Sequence, residues 1–405
     1  MTRFDRFQRI LISFLIAVSF FYGGYYMGKS GYLFELRKNP PIVTVINQTP
    51  SNQDLDFSLF WEVWNMVGDD YLERPVDRQK MMYGAIQGMV NALGDPYTSY
   101  LPPQVNEVVT DAINGTYKGI GAELGLRDGQ LIIVAPLDGS PAKEAGVLAG
   151  DKILEIESNG TVGISLTEAV SKIRGEAGTL STLKLQRNDN EPFLVRIKRG
   201  VITVASVTWE NKGDGTAYIR VSRFGGDTNS EWQKVVKEIN VEMDELDVVV
   251  VDVRGNPGGY LQSSVYLADE FVQKGVVLWE ESATGDLESF DAERIGAFEN
   301  IPQVYVLVDE GSASASEILA AALRDLVKAK IVGVKTFGKG TIQDARDFKD
   351  GSGVHITVAK WLTPNKVWIH KTGLEPDIIV ERSDEDINNN VDTQLDKVLE
   401  LAKEI

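Results

Sequence analysis

Short apolar segments alternate with amphipathic segments through residues 201–382, and this alternation constrains the fold more than any other feature of the sequence. The predicted strands and the helices between them occupy residues 217–224, 228–241, 247–254, 262–273, 304–310, 313–327 and 330–337. Strands that are separated by helices of this length pair in parallel, because each crossover places its helix on a face of the sheet. The sequence therefore predicts a layered α/β domain with a largely parallel sheet.

Two other patterns precede this domain. Residues 54–101 are predicted to be helical, since Phe60, Trp61, Trp64 and Val67 recur at three- and four-residue spacing, and we interpret this stripe as a packing surface. A compact β unit follows, with glycine turns between short strands and one helix. Its strands are predicted at residues 119–126, 130–137, 151–158, 181–187 and 192–198, and its helix at residues 166–173.

Residues 10–28 form an uncharged apolar run, ILISFLIAVSFFYGGYYMG, between Arg9 and Lys29. As a helix this run measures about 28 Å, close to the hydrocarbon thickness of a bilayer. It is longer than the apolar core of a signal peptide, and no A-x-A-like cleavage site follows, so we expect an uncleaved single-pass anchor. The arginines within residues 1–9 favour a cytoplasmic N terminus and an extracytoplasmic position for the remaining chain. Residues 29–53 are interpreted as an extended polar linker.

The acidic composition limits the ligands that the chain is expected to bind. The 405 residues include 59 Asp and Glu against 41 Lys and Arg, which gives a formal net charge of −18. An anionic surface without a compact basic stripe repels phosphate backbones, so we expect no nucleic-acid partner. The absence of cysteine excludes thiol catalysis, disulfides and cysteine-based zinc sites. No pair of histidines has metal-ligand spacing, and we expect neither a metal nor another cofactor.

Glycine- and serine-rich segments follow three of the predicted strands, at residues 254–259, 311–317 and 337–343. Because ligands bind beyond the carboxyl ends of the strands in a parallel sheet, we expect these segments to form one site. The first reads RGNPGG, and its glycines allow main-chain N–H groups to approach a ligand closely, as an oxyanion hole requires. Its spacing fits neither a P-loop nor a dinucleotide fingerprint, and a plain strand-to-helix turn is the alternative.

The second segment, GSASASE, begins a predicted helix. A serine at a helix N terminus lies beside free N–H groups and the positive end of the peptide dipoles, which suits a nucleophile whose attack creates an oxyanion. The pattern does not choose among Ser312, Ser314 and Ser316. Ser314 and Glu317 also match an S-x-x-E capping box, which is the structural alternative.

The third segment, FGKGTIQ, places Lys339 between two glycines on a turn that we expect to be flexible. An ordinary lysine pKa of about 10.4 makes this residue a poor base, but burial disfavours the ammonium form and lowers the pKa. A neutral Lys339 can accept the proton of a serine hydroxyl, as in serine–lysine hydrolases. We expect Gln343 to accept a hydrogen bond from Lys339 and to orient it. A solvated loop lysine is the alternative interpretation.

These motifs closely resemble those of the carboxyl-terminal processing peptidases, the tail-specific serine–lysine proteases. The match spans nearly the whole chain and includes GAIQGMVNALGDPYTSYL, DVRGNPGG, VLVDEGSASASEILAAAL, VGVKTFGKGTIQ and TGLEPDIIVE. The GSASASE and TFGKG motifs are highly specific, because they recur in this order with 25 residues between Ser314 and Lys339. The resemblance implies a multidomain α+β and α/β protein with a helical N-terminal segment, an inserted PDZ-like β domain and a layered ClpP/crotonase-like protease core.

The resemblance also implies roles for individual residues. Ser314 corresponds to the nucleophile, Lys339 to the general base and Gln343 to the residue that positions it. The main-chain N–H groups of Gly259 and Ala315 correspond to the oxyanion hole, with the glycine before Gly259 as the adjacent alternative.

Residues 115–200 resemble a PDZ domain, in which a loop of main-chain N–H groups binds the terminal carboxylate of a peptide. The resemblance implies Ile120, Gly121 and Ala122 as the carboxylate contacts and Leu124 as part of the groove wall. It also implies protein or peptide substrates with exposed C termini, whose tails the PDZ-like unit binds.

The function implied is that of a membrane-anchored serine endopeptidase that binds C-terminal tails and cleaves them through an acyl-enzyme. One alternative is a catalytically silent PDZ adaptor that presents substrates to another protease, although the intact Ser314 and Lys339 argue against it. A crotonase-like acyl-CoA enzyme is a further alternative, which the attached PDZ-like unit disfavours. The two histidines, His355 and His370, are interpreted as structural residues rather than as members of a serine–histidine triad.

The sequence therefore predicts seven segments. They are a cytoplasmic N terminus (1–9), a transmembrane signal-anchor (10–28), a linker (29–53), a helical domain (54–114), a PDZ domain (115–200), a serine protease core (201–382) and a C-terminal helical tail (383–405). The tail ends in an amphipathic helix, and the resemblance implies that the terminal helical segments permit a homodimer.

Overall fold

Two compact units make up the chain, Met1–Met82 and Tyr83–Ile405. The computed structural model describes residues 3–29, 32–38, 41–47, 56–127, 129–137, 139–164, 166–188, 190–383, 385–386, 389 and 391–404. Helices and strands both occur throughout, so the predicted mixed α/β class is confirmed. The boundary between the units falls within a helix and divides the helical domain predicted at residues 54–114.

The first unit contains helices and one β-hairpin. Its elements are α1 (Arg3–Lys29), β1 (Tyr32–Lys38), β2 (Pro41–Asn47), α2 (Ser58–Asp70) and the beginning of α3 (Arg78–Asn91). The hairpin occupies part of the expected linker and pairs its strands antiparallel. Among the residues that the structure describes, no helix combines the length and the apolar character that a bilayer span requires. The membrane anchor predicted at residues 10–28 is therefore not supported.

Helix α2 carries the aromatic residues Phe60, Trp61 and Trp64, whose spacing predicts a packing surface. None of the 13 residues described for this helix is buried. The ring of Phe60 instead contacts those of Trp61 and Trp64, with centroids 5.2 and 6.1 Å apart. The aromatic rings thus pack on one another, and α2 does not bury the stripe as predicted.

In the second unit, α3 continues into β3 (Ser99–Leu101) and α4 (Pro103–Asn114), which lead to an inserted unit at residues 116–203. The elements of this inserted unit are β4 (Thr116–Gly119), β5 (Ala122–Arg127), β6 (Gln130–Pro136), α5 (Pro141–Glu144), β7 (Lys152–Ile156), β8 (Asn159–Gly160), α6 (Leu166–Ile173), β9 (Leu180–Gln186), β10 (Phe193–Lys198) and β11 (Gly200–Thr203). Its main sheet has the strand order β10-β9-β7-β6-β5, with β8 beside β7, so β5 is an edge strand. Strands β4 and β11 pair with each other where the chain enters and leaves the inserted unit.

The remaining residues form the core domain and a final helix. The elements are β12 (Val207–Asn211), β13 (Thr216–Val221), α7 (Thr228–Glu242), β14 (Val248–Asp252), α8 (Leu261–Ala268), β15 (Val276–Ser282), β16 (Leu287–Asp291), β17 (Gln303–Val308), α9 (Ala315–Val327), β18 (Lys330–Gly333), β19 (Thr341–Asp347), β20 (Gly353–Leu362), β21 (Ile378–Ile379) and α10 (Thr393–Ala402). The main sheet has the order β12-β13-β14-β17-β18-β21. All pairs from β13 to β21 are parallel, and β12 is an antiparallel edge strand. The predicted, largely parallel sheet is confirmed.

Strand β14 shows why this sheet was visible in the sequence. Successive side chains of a strand point to opposite faces, and both faces of this strand are covered. Val249 and Val251 are fully buried in the cluster that includes α7, α8 and α9. Val248 and Val250 are fully buried on the other face, where Val398 of α10 packs. A continuous apolar run is the sequence pattern that such double burial produces.

A second sheet was not predicted. It is antiparallel, with the order β16-β15-β20-β19, and β3 pairs with the far end of β20. Its strands β16 and β19 are rich in charged residues, so they lack the apolar run that revealed the parallel sheet. This sheet matters for the site because β19 directly follows Lys339.

The side chain of Arg254 joins the main sheet to the final helix. Its guanidinium donates to Asp252 Oδ2 at 2.6 Å and to Asp392 Oδ1 at 2.7 Å, and it also donates to Gln394. Only 10% of the Arg254 side chain and 2% of the Asp252 side chain are exposed. Because Arg254 begins the segment RGNPGG, this ion-pair network connects α10 to one of the predicted catalytic segments.

We predict that Arg254→Ala lowers the free energy of unfolding by about 3 kcal/mol, because it removes the most buried cation that pairs with Asp252 and leaves this carboxylate only Arg220 and Tyr218. The matched control is Arg346→Ala, which removes an exposed pair with Asp344 and is expected to cost less than about 1 kcal/mol. Urea unfolding of both variants measures the difference. Equal stability of the two variants would contradict the assigned importance of the buried network.

Candidate active site

The three predicted segments meet at one cavity of about 490 Å³ at the carboxyl ends of the parallel strands. Its lining includes Gly258, Gly259, Ser314, Lys339 and Gln343. A larger cavity of about 890 Å³ lies beside the Arg254 network, but none of these five residues lines it. The smaller cavity is therefore the candidate site, because its lining contains the predicted catalytic residues.

The structure distinguishes the three serines that the sequence left open. Ser312 Oγ donates to the carbonyl of Val253 at 2.8 Å, and Ser316 Oγ donates to the carbonyl of Asn256 at 2.9 Å. Both side chains are completely buried. Ser314 is only half-buried, lines the cavity, and donates its hydroxyl proton to no acceptor among the described residues. Ser314 is thus the serine whose hydroxyl is available for chemistry.

Ser314 has an uncommon backbone conformation, with φ +54° and ψ −114°, immediately before α9. A residue with a Cβ atom in such a region costs about 1–3 kcal/mol and persists only where its surroundings enforce it. The flanking Ala313 N–H donates to the carbonyl of Asn256 at 3.0 Å, and the Ser314 N–H donates to Glu317 Oε2 at 2.9 Å. The predicted capping box between Ser314 and Glu317 is present, and it coexists with exposure of the serine to the cavity.

The carboxylate of Glu317 connects the serine segment to the lysine segment. It is completely buried, and besides the N–H of Ser314 it accepts hydrogen bonds from the N–H groups of Gly338 and Lys339 at 2.7 and 2.9 Å. A fourth donor is Thr336 Oγ1 at 2.5 Å. One buried anion therefore holds the backbones of the two candidate catalytic residues next to each other. The S-x-x-E pattern alone indicates only the capping role of Glu317.

The turn that carries Lys339 is firmly held, in contrast to the flexible turn expected from its glycines. The indole N–H of Trp361 donates to the carbonyl of Lys339, and that of Trp368 donates to the carbonyl of Gly340, each at 2.8 Å. A Cβ atom on Gly340 would lie 2.8 Å from Nε1 of Trp368. Glycine is required here for close packing, and the tryptophans that impose it are distant in sequence.

The environment of the Lys339 amine favours its neutral form. Burial lowers the pKa of Lys339 below its ordinary value, although the nearby carboxylates of Asp95 and Glu317 act in the opposite direction. The Nζ atom lies 5.3 Å from the centroid of the Tyr97 ring. Within the described part of the chain, Nζ forms no hydrogen bond, and in particular none to Ser314. The amine and the hydroxyl thus line one cavity without a hydrogen bond between them.

Gln343 does not make the predicted contact with Lys339. Its side-chain N–H group donates to Thr341 Oγ1 at 2.9 Å and to Thr357 Oγ1 at 3.3 Å. Gln343 lines the cavity, but the expected hydrogen bond to the lysine is not formed.

Neither histidine forms a serine–histidine pair in the described part of the chain. His355 lines the cavity, and burial followed by the charge of Lys339 lowers its pKa. His370 stacks on Trp368, with ring centroids 5.1 Å apart and planes 12° apart. Neither imidazole is hydrogen-bonded to Ser314, consistent with the structural roles predicted for both.

Two main-chain N–H groups beside Ser314 are free to bind an oxyanion. The N–H of Gly258 already donates to Asn256 Oδ1 at 2.9 Å. The N–H groups of Gly259 and Ala315, by contrast, form no hydrogen bond with any described residue. A Cβ atom on Gly259 would lie 2.0 Å from the carbonyl oxygen of Phe224, so only glycine fits there. The geometry favours Gly259 over its neighbour as the donor.

Family models match three parts of the chain. The model described as Peptidase family S41 matches residues 215–380, the Activating protease CtpB N-terminal domain matches residues 20–104, and the PDZ domain matches residues 132–187. The chain is 37% identical over 380 residues to the carboxy-terminal processing protease CtpB of Bacillus subtilis, covering 92% of this chain and 78% of that protein. The chain belongs to peptidase family S41. The family predicted from the motifs is confirmed.

Further similarities agree with this membership. The carboxy-terminal processing protease CtpA of Bacillus subtilis is 35% identical over 338 residues, covering 83% of this S41 peptidase and 72% of that protein. A solved structure from Bacteroides fragilis, assigned to the S41 proteases, superposes with a TM-score of 0.56 at 15% identity. It covers 88% of this chain and 99% of that one, and at this identity it shows a shared fold.

The inserted unit of the S41 peptidase presents the loop predicted to bind a carboxylate. The carbonyls of Ile120 and Gly121 accept hydrogen bonds from Ala142 at 2.8 Å and Leu137 at 2.9 Å. The N–H groups of Ile120 and Gly121 form no hydrogen bond with the described residues. Ala122 begins the edge strand β5, which contacts α6. The loop therefore has free donors at the start of an unpaired strand edge.

We predict that Glu317→Gln lowers kcat of the S41 peptidase about 5- to 150-fold. The NH2 group of the new amide must face N–H and O–H donors, so at least one of these donors loses its acceptor, at a cost of about 1–3 kcal/mol. The matched control, Glu375→Gln, changes an exposed carboxylate that pairs with Lys335 and is expected to retain activity. Peptide cleavage and circular dichroism of both variants provide the measurement. Full activity of a folded Glu317→Gln variant would show that the shared anion is dispensable.

Proposed function

We propose that this S41 peptidase is a carboxy-terminal processing serine endopeptidase in which Ser314 is the nucleophile and Lys339 the general base. The observation that carries the proposal is their joint placement: Ser314, whose hydroxyl proton has no acceptor among the described residues, shares a cavity with a lysine whose burial lowers its pKa. The names of the relatives from Bacillus subtilis support the carboxy-terminal processing activity.

The reaction begins when Ser314 Oγ attacks the carbonyl carbon of the scissile peptide bond and its proton passes to the neutral amine of Lys339. The negative charge that develops on the carbonyl oxygen is stabilised by the N–H groups of Gly259 and Ala315. The bond to the leaving nitrogen then breaks, and Lys339 donates its proton to that nitrogen. Water hydrolyses the resulting Ser314 ester, with Lys339 again accepting a proton.

The resting arrangement requires one movement before attack. Lys339 Nζ lies over the Tyr97 ring and forms no hydrogen bond to Ser314 among the described residues. Catalytic hydrogen bonds of free enzymes frequently tighten only when substrate is bound. The proposed cycle therefore includes rotation of the Lys339 side chain toward Ser314. The amide oxygen of Gln343 is the acceptor proposed to hold the lysine after this rotation.

The inserted unit supplies the proposed tail specificity. A terminal carboxylate binds the N–H groups of Ile120, Gly121 and Ala122, and the residues before it extend edge strand β5, with Leu124 in the groove wall. Substrates are therefore proteins or peptides with exposed C termini. The homodimer and the extracytoplasmic position remain predictions from the sequence, and the catalytic proposal does not depend on membrane anchoring.

We predict that Ser314→Ala and Lys339→Ala each abolish cleavage of an unfolded protein substrate. Lys339→Arg is also expected to be inactive, because a guanidinium stays protonated and cannot act as the base. Ser289→Ala and Lys335→Ala, at exposed positions outside the cavity, are the controls and are expected to retain activity.

Labelling with a fluorophosphonate probe separates this proposal from a silent PDZ adaptor. The wild-type protein is expected to be labelled at Ser314, which mass spectrometry of the labelled peptide identifies. Undiminished cleavage by the Ser314 or Lys339 variant would refute the mechanism, whereas binding of tail peptides without labelling or cleavage would favour the adaptor.

We predict that kcat/KM rises with pH as Lys339 loses its proton, with a midpoint below the ordinary lysine pKa because burial disfavours the ammonium form. In Tyr97→Leu the midpoint is expected to shift about 0.5 pH unit lower, since removal of the ring removes an interaction that favours the cation. Tyr97→Phe keeps the ring face and is the control. A pH profile that does not differ among the three proteins would contradict contact between the lysine cation and this ring.

A further inference from the structure

One carboxylate in the cavity wall is not used by the proposed mechanism. Glu280 lies on β15, on the same strand face as the fully buried Leu278. Its neighbour across β20 is Trp361, which is also fully buried, and the neighbour of Leu278 across β16 is Phe290. Glu280 therefore interrupts a row of apolar side chains on this face, and its own neighbour across β16 is Glu288.

This carboxylate has no partner within the described part of the chain. Glu280 forms no hydrogen bond and no ion pair there, whereas Glu281, on the opposite face, pairs with Lys360 at 2.7 Å. Burial, followed by the charge of Glu288 on the adjacent strand, raises the pKa of Glu280. A partly buried carboxylate without a compensating cation is costly. The position is therefore more suitable for binding a ligand than for stabilising the fold.

The surroundings of Glu280 indicate the chemistry of that ligand. Glu280 and Ser314 line the same cavity, whose lining combines polar residues such as Gln262 with large apolar side chains. The apolar side chains include Leu261, Phe290, Ile318, Ile342 and Trp361. A long aliphatic stem buries favourably against such a wall, while an ammonium or guanidinium at its tip satisfies an acid. Lysine and arginine are the side chains with both properties.

We propose that Glu280 makes this cavity a binding site for a basic substrate side chain, that of the residue whose carbonyl carbon Ser314 attacks. This inference rests on the proposed role of Ser314, because the cavity that contains the nucleophile is the one that the adjacent side chain enters. Glu280 is in this view a specificity-determining residue: it binds the substrate cation and takes no part in bond cleavage.

Two basic side chains also line the cavity, and they could instead bind an acidic substrate residue. Lys339 is neutral when it acts as the base, and the guanidinium of Arg223 donates to the carbonyl of Val204. If either cation faced the substrate side chain, the cavity would favour an acidic residue instead. A comparison of basic, apolar and acidic substrates therefore distinguishes the influence of Glu280 from that of these cations.

The test uses three internally quenched peptides that share one C-terminal tail and differ only in the residue on the acyl side of the scissile bond. That residue is lysine, norleucine or glutamate, so the first two have the same stem length. For the wild-type protein we expect kcat/KM to be about tenfold or more higher with lysine than with norleucine, and lowest with glutamate.

Glu280→Gln keeps the shape of the side chain and is expected to reduce the lysine-to-norleucine ratio to about one, with cleavage of the norleucine peptide retained. Glu280→Lys is expected to reverse the preference toward glutamate. The matched control is Glu281→Gln, which changes the neighbouring carboxylate on the opposite face of β15 and should keep the wild-type ratio. Cleavage of the norleucine peptide reports that each variant is folded.

A wild-type preference for norleucine or glutamate overturns the proposal without any variant, and an unchanged lysine preference in Glu280→Gln overturns the role of this residue. Cleavage of all three peptides at similar rates contradicts the specificity alone. A wild-type protein that cleaves none of them and is not labelled by a fluorophosphonate contradicts the proposed function as well. The failures of the two proposals are thereby distinguishable.

Discussion

A single buried carboxylate, that of Glu317, connects the parts of the candidate site. It accepts hydrogen bonds from the main-chain N–H groups of Ser314, Gly338 and Lys339 and from the hydroxyl of Thr336. Such an anion is tolerated inside a protein only when donors surround it. Because its donors come from both the serine segment and the lysine segment, this carboxylate stabilises each segment in the presence of the other.

Some of the remaining polar groups of the candidate site have hydrogen-bond partners within the protein, and others have none among the described residues. The hydroxyls of Ser312 and Ser316 and the N–H of Gly258 all have protein partners. The hydroxyl of Ser314 donates to no described acceptor, and the N–H groups of Gly259 and Ala315 likewise find none. This division places unused donors around one point of the cavity. A substrate carbonyl at that point would satisfy groups that the fold itself leaves unsatisfied.

The sequence predicted the features that local pattern encodes. The double burial of Val248–Asp252 produces an apolar run, so the parallel sheet and the segments after its strands were evident. Strands β16 and β19 of the second sheet are rich in charged residues and gave no such signal. The lysine turn was expected to be flexible, because the indoles that hold it follow at residues 361 and 368 and their contacts depend on the tertiary fold. For the same reason the role of Glu317 between two segments, the contact of Tyr97 with Lys339 and the partners of Gln343 were not predictable.

The network around Arg254 has a consequence for biosynthesis. One of its carboxylate partners, Asp392, follows it by 138 residues, so it leaves the ribosome after the strands of the main sheet. Until then the guanidinium at the start of the segment RGNPGG lacks that counter-ion, and one face of the main sheet lacks the helix that covers Val250. A nascent chain therefore carries its serine and lysine before the platform beneath them is complete. Docking of α10 is thus the step that separates synthesis of the candidate catalytic residues from completion of the fold around them.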